Sequence, residues 1–229
     1  MVQVNPTKLF LRFRFKKQGS LQYISHLDLV RTMHKVIVRS RLPLWYTEGF
    51  NPKPKMIFAA PLSIGTESIC EFMDIRMNEY IDPAEAMARI NANMTNEMQV
   101  VEAYYPESKF TDLKWMGYRI TINTLDLTDD IVERCNGLLS APVIEVQKKN
   151  SDKTADIRPL IRSASAVKDG DLMVINAVLS ADPSAFLNPE YVIKALREGT
   201  GILSSPDLTK EGYEIMRFNA YFEDMSEFR

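Results

Sequence analysis

The chain has 229 residues and a formal net charge of −2, a length that suits one large domain or two small ones with substantial cores. Its composition, 45% apolar and 25% charged, is ordinary for a soluble globular protein. No run approaches the roughly 18 apolar residues that a membrane helix needs, so the sequence predicts no membrane association.

The two cysteines, Cys70 and Cys135, stand far apart in the chain. They form neither a disulfide framework nor a metal-binding knuckle, and lone cysteines among apolar neighbours are usually small core residues. The segment 1–8 lacks the apolar region of a secretory signal. Together these features predict a cytoplasmic protein with no metal and no cofactor.

Charge is distributed unevenly along the chain. Residues 8–55 contain eleven Lys and Arg, the first of them Lys8, against only Asp28 and Glu48, which gives this segment a net charge of +9. Such asymmetry points to an anionic partner for the first part of the chain.

The first predicted element is a β-strand over 9–16, in which apolar and cationic residues alternate. A half-buried strand with a cationic outer face is expected. The apolar face consists of Leu9, Leu11, Phe13 and Phe15, and the cationic face consists of Arg12, Arg14 and Lys16.

A helix over 26–41 follows, with Ser25 as its N-cap, Asp28 as the partner in a capping box, and Pro43 beyond its end. Arg31 and Lys35 lie on its polar side at i, i+4 spacing. The apolar residues recur at helical spacing, as expected for a helix that packs on the sheet. They are Leu27, Val30, Met33 and Ile37.

The rest of the chain predicts an α+β protein. Strands over 56–62 and 71–77, a helix over 84–94 and a strand over 98–105 complete a β-α-β-β-α-β order, the ferredoxin-like unit, in residues 1–110. A second, decorated unit of this kind is predicted for residues 111–229. Its strands cover 115–124, 143–148, 172–179 and 212–222, its helices cover 129–139 and 189–197, an extended segment begins at 157, and Asp169-Gly170 forms a hairpin turn.

The loop 48–55, Glu-Gly-Phe-Asn-Pro-Lys-Pro-Lys, has a composition suited to anion binding. Gly49 permits a positive φ, and the two prolines hold the segment extended so that Lys53 and Lys55 project at fixed positions. With Phe50 and Asn51 beside them, these lysines suit phosphate contacts combined with base stacking. The alternative is a structural loop whose lysines are merely solvated.

His26 lies at the start of the predicted helix, where a histidine could transfer protons near neutral pH. With Lys55 and either Tyr23 or Tyr46 it forms a candidate catalytic group. The alternative is that its imidazole hydrogen-bonds to the loop 48–55 and braces it. A second candidate site is Asp156 with Arg158, which as a buried pair at a strand start is more often structural than functional.

Four sequence blocks are distinctive in wording and order: Ser-His-Leu-Asp-Leu at 25–29, Tyr-Thr-Glu-Gly-Phe-Asn-Pro-Lys-Pro-Lys at 46–55, Ala-Pro-Leu-Ser-Ile-Gly-Thr-Glu-Ser at 60–68 and Asp-Ile-Arg-Pro-Leu-Ile at 156–161. With these blocks the chain resembles a known bacterial family, the radical SAM-linked proteins. The resemblance implies a radical SAM protein as partner and supplies no established activity. Because the chain lacks a C-x-x-x-C-x-x-C motif, it is not expected to carry the iron–sulfur cluster itself.

Two functions remain open from the sequence, with a small-molecule site as a weaker third. The first is an accessory protein that binds or presents RNA or another anionic substrate through Arg12, Arg14, Arg31, Lys35, Phe50, Asn51, Lys53 and Lys55. The second is a metal-independent endoribonuclease that uses His26. The sequence shows no nucleophile–base pair, so a binding role is favoured over a catalytic one.

Overall fold

The structure is a computed structural model that describes residues 9–148, 153–207 and 209–229. The segment 1–8, with Lys8 and the region considered for a signal, lies outside the described residues. The fold is mixed α+β, and the chain divides into two compact units. The first reaches Asp112 and includes Arg229, and the second runs from Leu113 to Phe228. Within the described ranges, every helix is too short or too polar to cross a membrane.

The first unit has the predicted β-α-β-β-α-β order. In its sheet the strands lie in the order β4-β1-β3-β2, and each neighbouring pair is antiparallel. The elements are β1 (Phe10–Lys17), α1 (His26–Arg39), β2 (Met56–Phe58), β3 (Thr66–Arg76), α2 (Pro83–Asn91) and β4 (Val100–Tyr104).

Helix α1 begins where the sequence predicts. The Ser25 hydroxyl oxygen accepts a hydrogen bond from the Asp28 backbone N–H at 3.1 Å, which satisfies one of the unpaired donors of the first turn. The helix ends at Arg39, two residues earlier than predicted. Arg41 has a φ of 54°, a left-handed conformation that the α-helix does not accommodate.

The core of the first unit confirms the predicted register of β1. Leu11, Phe13 and Phe15 are fully buried and share a cluster with Met33 and Ile37 of α1, while Leu9 packs at the edge of that cluster. A sheet covered by amphipathic helices on one face therefore accounts for the alternating apolar residues.

The predicted cationic outer face of β1 is wrong at Arg12, which is completely buried. Its Nε donates to Oδ1 of Asp74 at 2.7 Å and its Nη2 to Oδ2 at 2.9 Å, while Nη1 donates to the hydroxyl of Ser108 at 2.8 Å. The Phe110 ring lies 4.3 Å from the guanidinium carbon. The segment after β4 therefore covers this part of the sheet, and the alternation within β1 could not reveal that cover.

The second unit contains β5 to β10. The sheet order is β10-β5-β9-β8 with antiparallel neighbours, and β6 and β7 form a separate two-stranded ribbon. Asp169 pairs with Leu172 across the predicted hairpin turn. The elements are β5 (Trp115–Asn123), α3 (Asp129–Leu139), β6 (Glu145–Gln147), β7 (Thr154–Asp156), β8 (Ile161–Asp169), β9 (Leu172–Ser180), α4 (Pro189–Thr200) and β10 (Gly212–Tyr221).

The two units share one plan. With the β6–β7 ribbon set aside, each unit follows strand, helix, two strands, helix, strand, and places its first and third strands at the centre of the sheet. The ferredoxin-like assignment of the units stays a prediction here. Cys70 and Cys135 are buried in the first and second unit respectively, as expected for small core residues.

The Arg12–Asp74 pair gives the first testable prediction. Arg12→Met should lower the free energy of unfolding by about 3–5 kcal/mol, because a buried carboxylate loses its charged partner. Urea denaturation measures the loss. The double variant Arg12→Met/Asp74→Leu should regain most of it, since both charges are then removed. Arg31→Met, which breaks only the exposed pair with Asp28, should change stability by less than about 1 kcal/mol. A similarly small loss for Arg12→Met would contradict a structural role for the buried pair.

Candidate nucleic-acid interface

The predicted loop forms the end of a hydrogen-bonded hairpin over residues 44–55. The Thr47 N–H donates to the Lys53 carbonyl at 2.9 Å, and the Lys53 N–H donates to the Thr47 hydroxyl oxygen at 3.1 Å. Tyr46 lies opposite Pro54 in an antiparallel bridge. The backbone bonds hold both arms of the hairpin, so residues 48–52 form a tip of limited length.

The base of the hairpin is attached to the end of β3. The Trp45 N–H donates to the Arg76 carbonyl, and the Arg76 N–H donates to the Lys55 carbonyl, both at 3.0 Å. The Arg76 guanidinium carbon also lies 3.9 Å from the centre of the Trp45 ring, a cation–π contact. Backbone and side chain together therefore fix the hairpin to the sheet.

The tip carries a fully exposed aromatic side chain. Phe50 has a relative accessibility of 112%, and Gly49 next to it has a φ of 120°, a conformation that L side chains rarely adopt. Asn51, Lys53 and Lys55 are exposed as well. The hairpin thus presents a solvated ring beside two cations.

Helix α1 brings further cations to the same unit. Arg31 and Lys35 are exposed on its polar side, and Arg31 makes an exposed ion pair with Asp28 at 3.4 Å. Burial lowers the pKa of His34 below its usual 6.5, and the positive charge of Lys53 lowers it further. The charge of Lys53 on the hairpin therefore acts on a side chain of α1. We call Arg31, Lys35, Phe50, Lys53 and Lys55 the hairpin–α1 surface.

His26 is exposed at the first position of α1. Its ring meets the Phe58 ring edge-on, with centroids 5.5 Å apart, so its packing partner belongs to β2. Among the described residues the imidazole makes no hydrogen bond to the loop 48–55, and the expected bracing in that form is wrong. Nor do His26, Tyr46 and Lys55 make a hydrogen bond or ring contact with one another there, so they do not assemble into a linked catalytic group.

Two predicted binding residues lie apart from this surface. Arg12 is buried in its ion pair, and Arg14 is half-buried on β1 between its strand partners Phe72 and Glu102. The sequence predicted a solvated face for both arginines because apolar and cationic residues alternate along β1. In the folded unit other segments cover this face of β1, so Arg12 is buried and Arg14 is half-buried.

Asp156 and Arg158 do not form the expected buried pair. Asp156 is exposed, and its Oδ1 accepts from the backbone N–H groups of Ile144 and Arg158, both at 2.9 Å. The Arg158 guanidinium donates to the Ile161 carbonyl at 2.7 Å. Asp156 therefore pairs with backbone groups just before β6 and just after β7, and Arg158 pairs with one at the start of β8, so both side chains stabilise the local structure.

Sequence reasoning missed a cleft of about 620 Å³ in the first unit. Tyr80 and Tyr105 stack in its wall with ring centroids 5.1 Å apart, and Ile57 and Asp74 also line it. These residues are widely separated in the chain, and the exposed Tyr80 beside a helix start was the only local signal. In the part of the chain that the structure describes, no three His, Cys, Asp or Glu side chains gather as a potential metal site.

The fold is similar to a chain in the crystal structure of a Cbf5-Nop10-Gar1 complex, with a TM-score of 0.50 and 8% identity. The match covers 92% of this chain and 48% of that one, so the chain spans about half of its neighbour's length. An unknown protein from Galdieria sulphuraria aligns over 92% of this chain and 98% of its own, with 9% identity and a TM-score of 0.26.

Comparison with curated proteins finds no match. A family model does match, over residues 11–189, which include the hairpin–α1 surface and most of the second unit. The chain therefore belongs to the family described as uncharacterised proteins conserved in bacteria, DUF2344.

Proposed function

We propose that this chain is a cytoplasmic accessory protein that binds single-stranded RNA through the hairpin–α1 surface. The observation that carries the proposal is Phe50, a completely exposed ring on a hairpin whose arms are hydrogen-bonded to each other and to β3. Exposing an apolar ring to water is unfavourable unless a partner covers it. A nucleobase is a partner with a matching flat face, and base–aromatic stacking is worth about 1–3 kcal/mol per base.

The charges around Phe50 favour a nucleic acid over an uncharged aromatic partner. Lys53 and Lys55 are exposed on the same hairpin, and Arg31 and Lys35 are exposed on α1. Phosphate groups placed along such cations release counterions, which supplies affinity without sequence preference. Alternating cations and an aromatic ring suit a flexible single strand, whose bases are free to leave their stack.

The architecture and the partner belong to the same proposal. The β4-β1-β3-β2 order with antiparallel neighbours, repeated as β10-β5-β9-β8, supports the ferredoxin-like assignment of both units. Partnership with a radical SAM protein rests on the resemblance of the four sequence blocks. In that arrangement the present chain holds the RNA and the partner supplies the chemistry.

The endoribonuclease alternative keeps one supporting observation, the exposure of His26. An exposed imidazole at a helix start is accessible to a substrate phosphate and to protons. It lacks, among the described residues, a hydrogen-bonded partner that would orient it for proton transfer. The binding role is therefore the better-supported function.

Replacing Phe50 tests the proposal directly. Phe50→Leu keeps an apolar side chain but removes the aromatic face, so affinity for a labelled 12-nucleotide single-stranded RNA should fall about 5- to 100-fold. Phe50→Trp should bind at least as tightly as the original chain. Fluorescence anisotropy at about 50 mM salt measures both.

The recovered RNA provides the control for the enzyme alternative. Intact RNA is expected after incubation with the original chain without added metal. Shortened RNA that disappears with a folded His26→Ala variant would replace the binding role by the endoribonuclease. Equal affinities for Phe50→Leu and Phe50→Trp would show that Phe50 does not stack on a base.

The lysines should set the salt dependence. If Lys53 and Lys55 each neutralise a phosphate, replacing either by Ala should reduce the slope of log affinity against log salt by about 0.7. Lys168→Ala, which removes an exposed lysine from the second unit, should leave the slope unchanged. A slope that responds equally to all three substitutions would mean that binding is not localised at the hairpin.

The affinity should also depend on pH through His34. Because burial and then Lys53 lower its pKa below 6.5, His34 is mainly neutral at pH 7 and gains a positive charge as the pH falls through that lowered pKa. Affinity for the same RNA should therefore rise as the pH is lowered from 7 to below 6.5. His34→Gln, neutral at every pH, should remove most of the rise. An unchanged pH profile in His34→Gln would exclude His34 as its source.

A further inference from the structure

The cleft in the first unit has features of a binding site that the hairpin–α1 surface does not use. It measures about 620 Å³, lies at one side of the β2–β3–β1 sheet, and is lined largely by apolar and aromatic groups. A cavity of this size with few polar groups suits a small planar ligand or part of a larger one.

The wall of the cleft is a fixed aromatic pair. The Tyr105 hydroxyl donates to the Ile81 carbonyl and accepts from the Ile81 N–H, both at 3.0 Å, so that side chain is held at its far end. The Tyr80 ring stacks on Tyr105 at an interplanar angle of 20°. Tyr80 nevertheless remains 65% exposed, which leaves ring surface available to a ligand.

The charged residues that line the cleft are Asp74, Glu107 and Lys109, and Asp74 is the one that belongs to the sheet. Its side chain retains 12% exposure and lines the cleft, whereas the Arg12 side chain has none. The guanidinium directs its hydrogen bonds to Asp74 and Ser108. On the sheet side of the cleft a ligand therefore meets the Asp74 carboxylate oxygens, which accept hydrogen bonds, and does not meet the buried Arg12 guanidinium.

The cleft adjoins the hairpin part of the hairpin–α1 surface along one strand, on the sheet face opposite α1. Ile57 lines the cleft and pairs with Asp74 across β2 and β3, and Lys55 precedes Ile57 by two residues. Two residues of an extended strand span about 6.6 Å. A strand of RNA that contacts Lys55 can therefore place a neighbouring base at the mouth of the cleft.

We infer that the cleft receives one unstacked nucleobase that carries an amino group, taken from the single-stranded RNA bound at the hairpin–α1 surface. This inference rests on the proposed function and adds a base preference to it. The ring lies against Tyr80, and its exocyclic amino group donates to Asp74, as carboxylates accept from cytosine N4. Uracil presents a carbonyl at the corresponding position, which a carboxylate repels.

Cytosine and uracil give the sharpest test because the two rings are nearly the same size. The chain should bind labelled rC12 about tenfold more tightly than rU12 at about 50 mM salt, the discrimination of one good base contact. Both RNAs have the same phosphates and can stack on Phe50. A difference between the two affinities therefore reports a hydrogen bond to the edge of the base.

Two variants locate that contact. Ile57→Trp fills the cleft without changing charge and should reduce the preference for rC12 to within about twofold, leaving affinity for rU12 unchanged. Ile69→Trp is its matched control, since Ile69 is 39% exposed against 40% for Ile57 and does not line the cleft. Tyr80→Ala, at an exposed position, should weaken rC12 binding more than rU12 binding. Circular dichroism melts identify any variant that does not fold.

The outcomes separate the two proposals. Failure of both RNAs to bind at low salt overturns the proposed function. Equal binding of rC12 and rU12 by the original chain overturns the base preference alone. A preference that survives in folded Ile57→Trp and Tyr80→Ala places the discrimination elsewhere and also overturns the role of the cleft.

Discussion

The buried ion pair between Arg12 and Asp74 is the interaction on which the first unit depends. Burial raises the pKa of Asp74, and the Arg12 guanidinium opposes that rise by a hydrogen bond and by its charge. The same guanidinium reaches Ser108 and lies against Phe110. One side chain thus joins the centre of the sheet to the segment after β4, and that segment forms part of the cleft.

The hairpin shows how a polar backbone can present an apolar ring. Unpaired N–H and C=O groups would leave a loop free to fold Phe50 back onto the protein. Here the bonds between Thr47 and Lys53, and those from Arg76 to both arms, use these groups within the hairpin and the sheet. The Phe50 ring therefore remains in water although the hairpin is structured, because the backbone hydrogen bonds hold both hairpin arms in place.

The sequence predicted the elements of the first unit well because their signals are local. The alternation of Leu11, Phe13 and Phe15 and the cap at Ser25 each depend on neighbours within a few positions. The environment of Arg12 depends on Ser108 and Phe110, almost a hundred residues later, which no local pattern reveals. The cleft eluded prediction for the same reason, since its residues come from β2, β3 and the segments around Tyr80 and Tyr105. His26 is a similar case, because the cap at Ser25 predicts its position at the helix start, whereas its packing against Phe58 depends on a strand thirty residues later.

Alternation along β2 and the hairpin arm explains why one strand can serve two kinds of contact. Pro54 is buried, Met56 and Phe58 are half-buried with the core, and the residues between them, Lys55 and Ile57, are exposed. Successive side chains of an extended chain point to opposite faces, so the residues of the exposed row share a side. The cation Lys55, proposed to meet a phosphate, therefore stands next to the apolar Ile57 at the cleft, with a spacing that the backbone fixes. Two residues of a flexible loop would not keep such a fixed spacing. In the function proposed above, the geometry of the strand, more than the charge of the segment, converts general affinity for RNA into selection of a base.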